Sequence, residues 1–420
     1  MSDRPVAVAI DDLAEPQFPP DIAPVRAMLA EVGATLSLEP EVLIATAAEQ
    51  TGLHDFGPDD FRERLAVLSL ALQKEAGLGP EGMTTNFAQL VQLLKNRLLV
   101  QDLLTRHPEI DEVEIARPII ICGLPRTGTT HLHNLISADP ALRSLPYWES
   151  LEPVLADSEQ PAPGEPDPRL ARCEEGLSLV NGAMPLFKRM HDMYVDHVHE
   201  EIQLLAMDFS TMLFETMAEV PSWRDYYMAH DQTPHYAYLK RVLKALTWLR
   251  GGTRWVLKSP QHLEQFPVLH RTFPDATFVV THRDPVSICA SLATMISYTA
   301  RLRCTRVDPV MIGHYWAERL ETMLRACVRD RDVLPADQTI DVRFDEFMAD
   351  DVAMVERIYA LAGQPFTPDV RSGMDAFMEE HPRGVHGGLH YDLGQFGLDP
   401  AQLRETFRFY TDRFGLTLEH

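Results

Sequence analysis

The stretch from Arg117 to Ser137, RPIIICGLPRTGTTHLHNLIS, constrains the fold of this chain more than any other. It opens with a short β-branched run that ends in glycine, which is typical of a buried strand in a parallel sheet. Leu132, Leu135 and Ile136 then follow at helical spacing. The order of strand, glycine-containing loop and helix predicts an α/β protein with this loop at the carboxyl end of a parallel strand.

The same alternation returns in the second half of the chain. RWVLKSP, ATFVVTHRDP and QTIDVRFDEF predict three further strands. Helical patterns in HLEQFPVLHRTF, VSICASLATMISYTARL and DVAMVERIYALAG accompany them. Strands that alternate with helices favour a doubly wound parallel sheet.

Two other regions carry helical periodicity and little strand signal. Residues 22–115 contain FRERLAVLSLALQKEAG and NFAQLVQLLKNRLLVQDLLTRHPEI, with apolar residues three and four apart. Residues 171–250 follow a loop rich in proline and acid and are also predicted to be helical. We therefore expect an N-terminal helical region over 1–115 and an α/β domain over 116–417. A helical insertion at about 171–250 is expected on the substrate side.

Composition narrows the class of function. The 420 residues include 38 Lys and Arg against 62 Asp and Glu, a formal charge of −24, which argues against binding to nucleic acid or acidic membranes. The five cysteines form no C-x-x-C pair and favour a reducing compartment. No stretch has the ~18 consecutive apolar residues of a membrane helix, and MSDRPVAVAIDD lacks the features of a signal peptide. A cytoplasmic protein is predicted, and the final Leu-Glu-His resembles an expression-vector scar.

The loop itself predicts an anion site. Gly123 and Gly128 have the spacing of the motif G-x-x-x-x-G-K-[ST], but Thr129 stands in place of the lysine. Backbone amides at such a loop and at the helix start surround a phosphate, and Arg126 adds one local positive charge. No acidic residue of Walker-B type is evident, so magnesium chemistry is not expected. A plain strand-to-helix turn is the weaker alternative.

Four further segments extend this interpretation to a family resemblance. GLPRTGTT resembles the 5′-phosphosulfate loop of sulfotransferases that use 3′-phosphoadenosine 5′-phosphosulfate (PAPS). Arg283, at a strand end, and Ser291, eight residues later, resemble the pair that clamps the 3′-phosphate in that family. WVLKSPQHL is similar to its strand-end lysine segment and PYWES to its acidic segment, while HPRGVHGGLHYDLGQFGLD is similar to the loop that closes over the nucleotide. The resemblance spans about 116–410 and implies a P-loop NTPase-like fold of sulfotransferase type.

The resemblance implies a set of donor contacts. The 5′-phosphate would be held by the amides from Leu124 to Thr130, by Arg126 and by the threonine hydroxyls. The product would be 3′,5′-diphosphoadenosine, and no metal is needed. The predicted donor-binding residues are Gly123, Leu124, Pro125, Arg126, Thr127, Gly128, Thr129, Thr130, Arg283, Ser291, Arg383, Gly384 and Gly387.

Three residues are predicted to carry the chemistry. Lys258 would donate to the bridging oxygen as negative charge develops there. Glu149 is the first choice of general base, because the matching segment carries the base in related enzymes; a capping or solvated carboxylate is the alternative. His262 is the rival base, but it lies four residues after the lysine, where the family's steroid and phenol branch has a spacing of two. It could instead touch substrate or start a helix.

The other segments rich in histidine are not predicted to be metal sites. MHDMYVDHVHEE holds His191, His197, His199, Glu200 and Glu201, but its histidines are six and two apart rather than at i, i+4. A substrate-pocket rim or a solvated face is favoured over a metal site. His131 and His133 are expected to have polar core roles.

The leading hypothesis is a PAPS-dependent sulfotransferase that acts on a hydroxyl or amine of a small or lipid-like acceptor. The alternatives are a P-loop kinase or nucleotide hydrolase, and a non-catalytic nucleotide-binding protein on the same fold. The apolar residues of 204–227 and 295–298 could line the acceptor pocket, although core packing also explains them. The oligomeric state stays open, with a homodimer as one option.

Overall fold

The computed structural model of the protein describes residues 5–419. Residues 1–4 and 420 lie outside this range, including the first residues of MSDRPVAVAIDD and the last of Leu-Glu-His. Four helices precede the first strand. They are α1 (Ala23–Gly33), α2 (Pro40–Thr51), α3 (Phe61–Lys74) and α4 (Pro80–Arg106).

The sheet has four parallel strands in the order β2-β1-β3-β4. After β1, the chain first forms β2 on one side of β1. It then crosses over and forms β3 on the other side of β1. This arrangement confirms the doubly wound sheet and opens a crevice at the carboxyl ends of the strands. The strands are β1 (Ile119–Cys122), β2 (Val256–Ser259), β3 (Thr277–His282) and β4 (Thr339–Arg343).

Each strand lies within the segment that predicted it, and helices fill the connections. After β1 come α5 (Thr129–Ser137), α6 (Tyr147–Leu151), α7 (Pro168–Ala183), α8 (Ile202–Ala206), α9 (Leu213–Met217), α10 (Pro221–Ala229) and α11 (Thr233–Arg250). Between β2 and β4 lie α12 (Phe266–Thr272), α13 (Pro285–Ala300) and α14 (Pro309–Asp330). The remainder forms α15 (Phe344–Ala349), α16 (Asp351–Ala362), α17 (Pro368–Glu380), α18 (Pro400–Thr406) and α19 (Arg408–Phe414).

Alternation along the strands creates two apolar layers. Ile119 and Ile121 of β1 pack with residues of α5 and α16 on one face. Ile120 and Cys122 belong to the larger core on the other face, which contains residues of α11 to α14. All four residues of β1 are buried. Its sequence is therefore apolar at every position instead of alternating between apolar and polar residues.

The N-terminal helices share the larger core. Leu94 and Leu98 of α4 are fully buried within it, alongside residues of β2 and β3. Arg64 of α3 and Arg97 of α4 also donate to one carboxylate, Asp208, at 2.8 and 2.7 Å. The boundary at residue 115 remains a prediction. Both the apolar packing and the ion pairs to Asp208 join residues on its two sides.

Two segments are less regular than the sequence predicts. Residues 184–201, within the expected helical insertion, contain no α-helix; they have a 3-10 turn at Phe187–Arg189 and an isolated β-bridge from Val198 to Pro146. MHDMYVDHVHEE has no helical recurrence of apolar residues, so it gains nothing from forming a helix. HLEQFPVLHRTF begins as a 3-10 turn, Pro260–Glu264, and becomes helical only at α12. Within residues 5–419, no helix combines the length and the apolar character that crossing a membrane requires.

Candidate functional site

The loop after β1 is held in shape by β3. A Cβ atom on Gly123 would lie 1.8 Å from Oγ1 of Thr281, so only glycine fits there. Thr127 Oγ1 donates to the Leu124 carbonyl at 2.7 Å and shares a 2.8 Å hydrogen bond with the Thr281 hydroxyl. Gly128 has φ +82°, a left-handed conformation that favours glycine.

The loop leads directly into α5, and the N-terminus of this helix has no side-chain cap. α5 begins at Thr129, and no side chain accepts a hydrogen bond from its first turn. The first N–H groups of a helix have no intrahelical acceptor and carry partial positive charge. This cradle of N–H groups, at a helix start with no side-chain cap, fits a phosphate or sulfate oxygen.

Arg126 connects the loop to three other parts of the molecule. Its Nε donates to Ser291 Oγ of α13 at 3.1 Å. Its terminal nitrogens donate to the Met190 carbonyl and, at 3.5 Å, to the Tyr391 hydroxyl. Arg126 therefore supplies positive charge at the loop without the lysine of an ATP-binding motif.

Arg283 reaches the same loop residue from the end of β3. It donates to the Arg126 carbonyl at 2.6 Å. Its Nε and a terminal nitrogen donate to the two carboxylate oxygens of Glu419, at 2.7 and 2.6 Å, and its guanidinium lies 4.0 Å from the centre of the Phe344 ring. The paired contacts are those of an arginine that binds an anion through two hydrogen bonds. Arg283 and Ser291, predicted as a pair, thus both contact Arg126.

Lys258 lies at the crevice on β2, opposite Ile121 of β1. Its side chain is buried and its amine donates to Oε1 of Glu200. Its backbone N–H donates to Oε2 of the next residue, Glu201, at 2.8 Å. Two neighbouring carboxylates therefore contact this lysine, one at the amine and one at the backbone.

His262 is enclosed by the same segment. Its Nε2 lies 2.5 Å from Oε1 of Glu201, and its Nδ1 lies 2.8 Å from the Tyr236 hydroxyl. The imidazole is fully buried. Both ring nitrogens are engaged, so in this arrangement neither is free to meet an acceptor.

Glu149 is also fully engaged. Its carboxylate is completely buried and accepts from Arg143 at 2.5 Å and from Arg250 at 3.0 Å, one arginine on each oxygen. The Arg143 backbone pairs with Arg254, just before β2 begins. The catalytic role of Glu149 remains a prediction, and it requires at least one of these arginines to move away.

The predicted closing loop lies over α5. Arg383 donates to Oδ2 of Asp351 and contacts Nε2 of His131, both at 2.5 Å. Gly384 and Gly387 have φ values of +71° and +84°, which bend the loop back toward the N-terminal segment. His131 therefore has a defined role here as a partner of Arg383 and Asp351.

A cavity of about 290 Å³ separates this loop from α5 and from residues 188–197. Tyr194 stacks on His381 with ring centres 5.2 Å apart, and His381 stacks on Phe377 at 4.6 Å. Basic and aromatic side chains dominate the lining. Among them are Arg126, Thr130, His191, Tyr194, His197, His381 and Arg383.

Burial favours the neutral form of four histidines near the cavity, His133, His191, His197 and His199. Burial, followed by the charge of Lys258, lowers the pKa of His197 to about 4. Burial also lowers the pKa values of His133, His191 and His199. The arginines and lysines around the site supply positive charge.

The sequence predicts a substrate-pocket rim or a solvated face for the cluster at 190–201, rather than a metal site. Within residues 5–419 there is no group of three or more His, Cys, Asp or Glu side chains with the geometry to hold a metal ion. His191 and His197 line the cavity, and its use as a substrate pocket remains a prediction. No local motif indicates a role for Glu200, Tyr194 or Tyr391, since their contacts depend on how distant segments meet.

Fold and loop together define a class: an α/β protein with a parallel sheet and a glycine-containing loop between its first strand and the next helix. The chain belongs to the sulfotransferase family, whose sequence profile matches residues 118–368, more than half of the chain.

Solved structures agree with this assignment. Sulfotransferase STF1 from Mycobacterium tuberculosis H37Rv is 31% identical, with a TM-score of 0.76 over 87% of this chain and 97% of that one. Sulfotransferase STF9 from Mycobacterium avium is 25% identical, with a TM-score of 0.81 over 92% of this chain and 98% of that one. No curated protein sequence matches the chain.

Proposed function

We propose that the protein transfers the sulfuryl group of PAPS to a hydroxyl or amine of a small or lipid-like acceptor in the cytoplasm. One observation carries the proposal: Arg283 and Ser291 both meet Arg126, on the loop that cradles the first anion. Two anion subsites side by side suit a nucleotide with a 5′-phosphosulfate and a separate 3′-phosphate.

The cradle is assigned to the 5′-phosphosulfate. The amides from Leu124 to Thr130 and the guanidinium of Arg126 would hold its oxygens, with Arg283 and Ser291 at the 3′-phosphate. Arg383, Gly384 and Gly387 would cover the nucleotide from the loop above α5. The bound group would displace the Glu419 carboxylate from Arg283, because a phosphate offers more charge to the same guanidinium.

Lys258 is assigned to the departing oxygen. In-line attack on sulfur leaves negative charge on the oxygen that bridged sulfur and phosphorus. A buried ammonium stabilises that charge more strongly than an exposed one, since less water screens it. The chain supplies position and charge, and its reaction needs no metal.

A kinase or nucleotide hydrolase fits these features less well. Such enzymes place a lysine where this chain has Thr129 and bind Mg²⁺ through the loop hydroxyl and an acidic residue. A non-catalytic nucleotide-binding protein would retain the loop but would have no need for a buried lysine in the crevice.

A Lys258→Ala variant tests the proposal. Formation of 3′,5′-diphosphoadenosine from PAPS is followed with a panel of simple phenols as acceptors. We expect kcat to fall about 10²- to 10³-fold, while the Kd for 3′,5′-diphosphoadenosine changes far less. Wild-type protein that binds the nucleotide but transfers to none of a broad acceptor panel would favour the non-catalytic alternative.

A further inference from the structure

Three carboxylates, Glu149, Glu200 and Glu201, are candidates for the proton acceptor, and their hydrogen-bond partners distinguish them. Glu149 has an arginine on each oxygen. Glu201 accepts from the Lys258 backbone with one oxygen and contacts His262 with the other. Both side chains are essentially buried. Neither has an oxygen left for a substrate.

Glu200 differs from both. Its Oε1 accepts from the Lys258 amine, and its Oε2 has no hydrogen bond in the part of the chain that the structure describes. Its side chain remains 21% exposed, while the lysine beside it is 4% exposed. Glu200 therefore has one carboxylate oxygen at the Lys258 amine, and its other oxygen is available to accept a hydrogen bond.

The backbone fixes this carboxylate in place. Glu201 binds the segment to the end of β2 through its contact with the Lys258 N–H. The segment also pairs with residues 145–146, where the His199 N–H donates to the Leu145 carbonyl at 2.7 Å. A carboxylate anchored on both sides loses little freedom when it engages an acceptor.

We infer that Glu200 is the general base of the transfer, an assignment that rests on the proposed function. Without donor, Glu200 pairs with Lys258. With PAPS bound, the amine turns to the bridging oxygen and leaves the carboxylate facing the acceptor. The ion pair thus keeps the base occupied until the donor arrives.

The step balances without any further reactant. The acceptor oxygen forms a bond to sulfur as its O–H bond breaks, and the proton passes to Glu200. The bond from sulfur to the bridging oxygen breaks, and its electron pair stays on the phosphate of 3′,5′-diphosphoadenosine. Lys258 faces the oxygen that gains charge, and Glu200 faces the one that loses a proton.

Two phenols distinguish a base from a residue that only positions the lysine. Unsubstituted phenol has a pKa of about 10 and needs its proton removed, whereas 4-nitrophenol is largely ionised at about pH 8. For Glu200→Gln we expect kcat/KM with phenol to fall by about 10² or more. With 4-nitrophenol the loss should be at least tenfold smaller.

The control is Glu152→Gln. Glu152 is also 21% exposed and also pairs with one basic side chain, Arg172, but it has no contact with Lys258. This variant should retain wild-type rates with both phenols. Binding of 3′,5′-diphosphoadenosine gives a second measurement: Glu200→Gln should bind it several-fold more tightly, since the amine no longer has a competing carboxylate.

Equal losses of Glu200→Gln with the two phenols, or no loss with either, overturn the assignment. So does weaker nucleotide binding by this variant. A wild-type protein that fails to bind 3′,5′-diphosphoadenosine contradicts the proposed function instead, so the two failures are distinguishable.

Discussion

At the scale of single residues, Arg283 is the side chain that we propose distinguishes PAPS from other adenine nucleotides. Arg283→Ala removes a guanidinium that makes two hydrogen bonds to a carboxylate. Hydrogen bonds to charged groups contribute about 1.5–3 kcal/mol each. We expect the affinity for 3′,5′-diphosphoadenosine to fall ten- to a hundredfold, while that for 5′-AMP, which lacks the 3′-phosphate, changes little.

Calorimetric titration of both nucleotides measures this effect. The control is Arg371→Ala, which removes a half-exposed arginine paired with Asp375 on α17. It should leave both affinities unchanged. A parallel loss of both nucleotides in Arg283→Ala would contradict the assignment of Arg283 to the 3′-phosphate.

His197 gives the protein a predictable pH dependence. Its pKa is about 4 in the folded state, against about 6.5 when unfolded. Between these values the unfolded chain binds more protons, so stability falls as the pH falls from about 6.5 to 4. This one group contributes up to about 3 kcal/mol of that loss.

Urea unfolding across this pH range tests the effect. His197→Gln removes the titration, so its stability should fall less steeply than that of the wild type. His314→Gln removes an exposed histidine of α14 and should follow the wild-type curve. Identical slopes for all three proteins would show that His197 is not held neutral by burial.

Residue types at the site were predictable, but their partners were not. The glycine spacing, Arg126 and the Arg283–Ser291 pair could be predicted from the sequence because each belongs to a local motif. Glu149 stands in a local motif too, yet its arginines come from positions 6 and 101 residues away. Glu200 meets Lys258 across 58 residues, a contact that only the folded chain creates.

At the scale of elements, the loop between β1 and α5 depends on close contact with β3. Gly123→Ala would place a methyl group 1.8 Å from the Thr281 hydroxyl. Overpacking of this kind costs about 1–3 kcal/mol and displaces the backbone. We expect lower stability in urea and a loss of nucleotide binding larger than the loss of stability explains.

Gly176→Ala is the matched control, because a Cβ atom on this glycine of α7 meets nothing within 4 Å. It should be neutral or slightly stabilising, since alanine favours helix. Normal nucleotide binding by Gly123→Ala would show that the shape of the loop is not essential to the site.

The helices and strands of the structure agree with the sequence prediction wherever the local hydrophobic pattern is strong. All four strands appear where β-branched runs predict them, and α4 ends at Arg106, before His107-Pro108. The region 184–201 departs from prediction because its polar residues lack periodicity and are organised by contacts with β2, α5 and the closing loop. Such a segment takes its shape from its surroundings, which the sequence does not display locally.

At the scale of the whole molecule, a strongly acidic chain concentrates a few cations at one crevice. The formal charge is −24, yet Arg126, Lys258, Arg283 and Arg383 all lie around the loop after β1 or the adjoining cavity. General attraction of anions is therefore not expected. The site must select its ligand by local geometry, which makes nucleotide selectivity the most informative property.

The most direct test compares the thermal stabilisation of the wild-type protein by two nucleotides. A ligand at a hundred times its Kd stabilises the folded state by about 2.7 kcal/mol, which is readily measured as a shift in Tm. We expect a clear upward shift with 3′,5′-diphosphoadenosine and none with ATP and Mg²⁺ at the same concentration. A shift with ATP and Mg²⁺ but not with 3′,5′-diphosphoadenosine would contradict the proposed function.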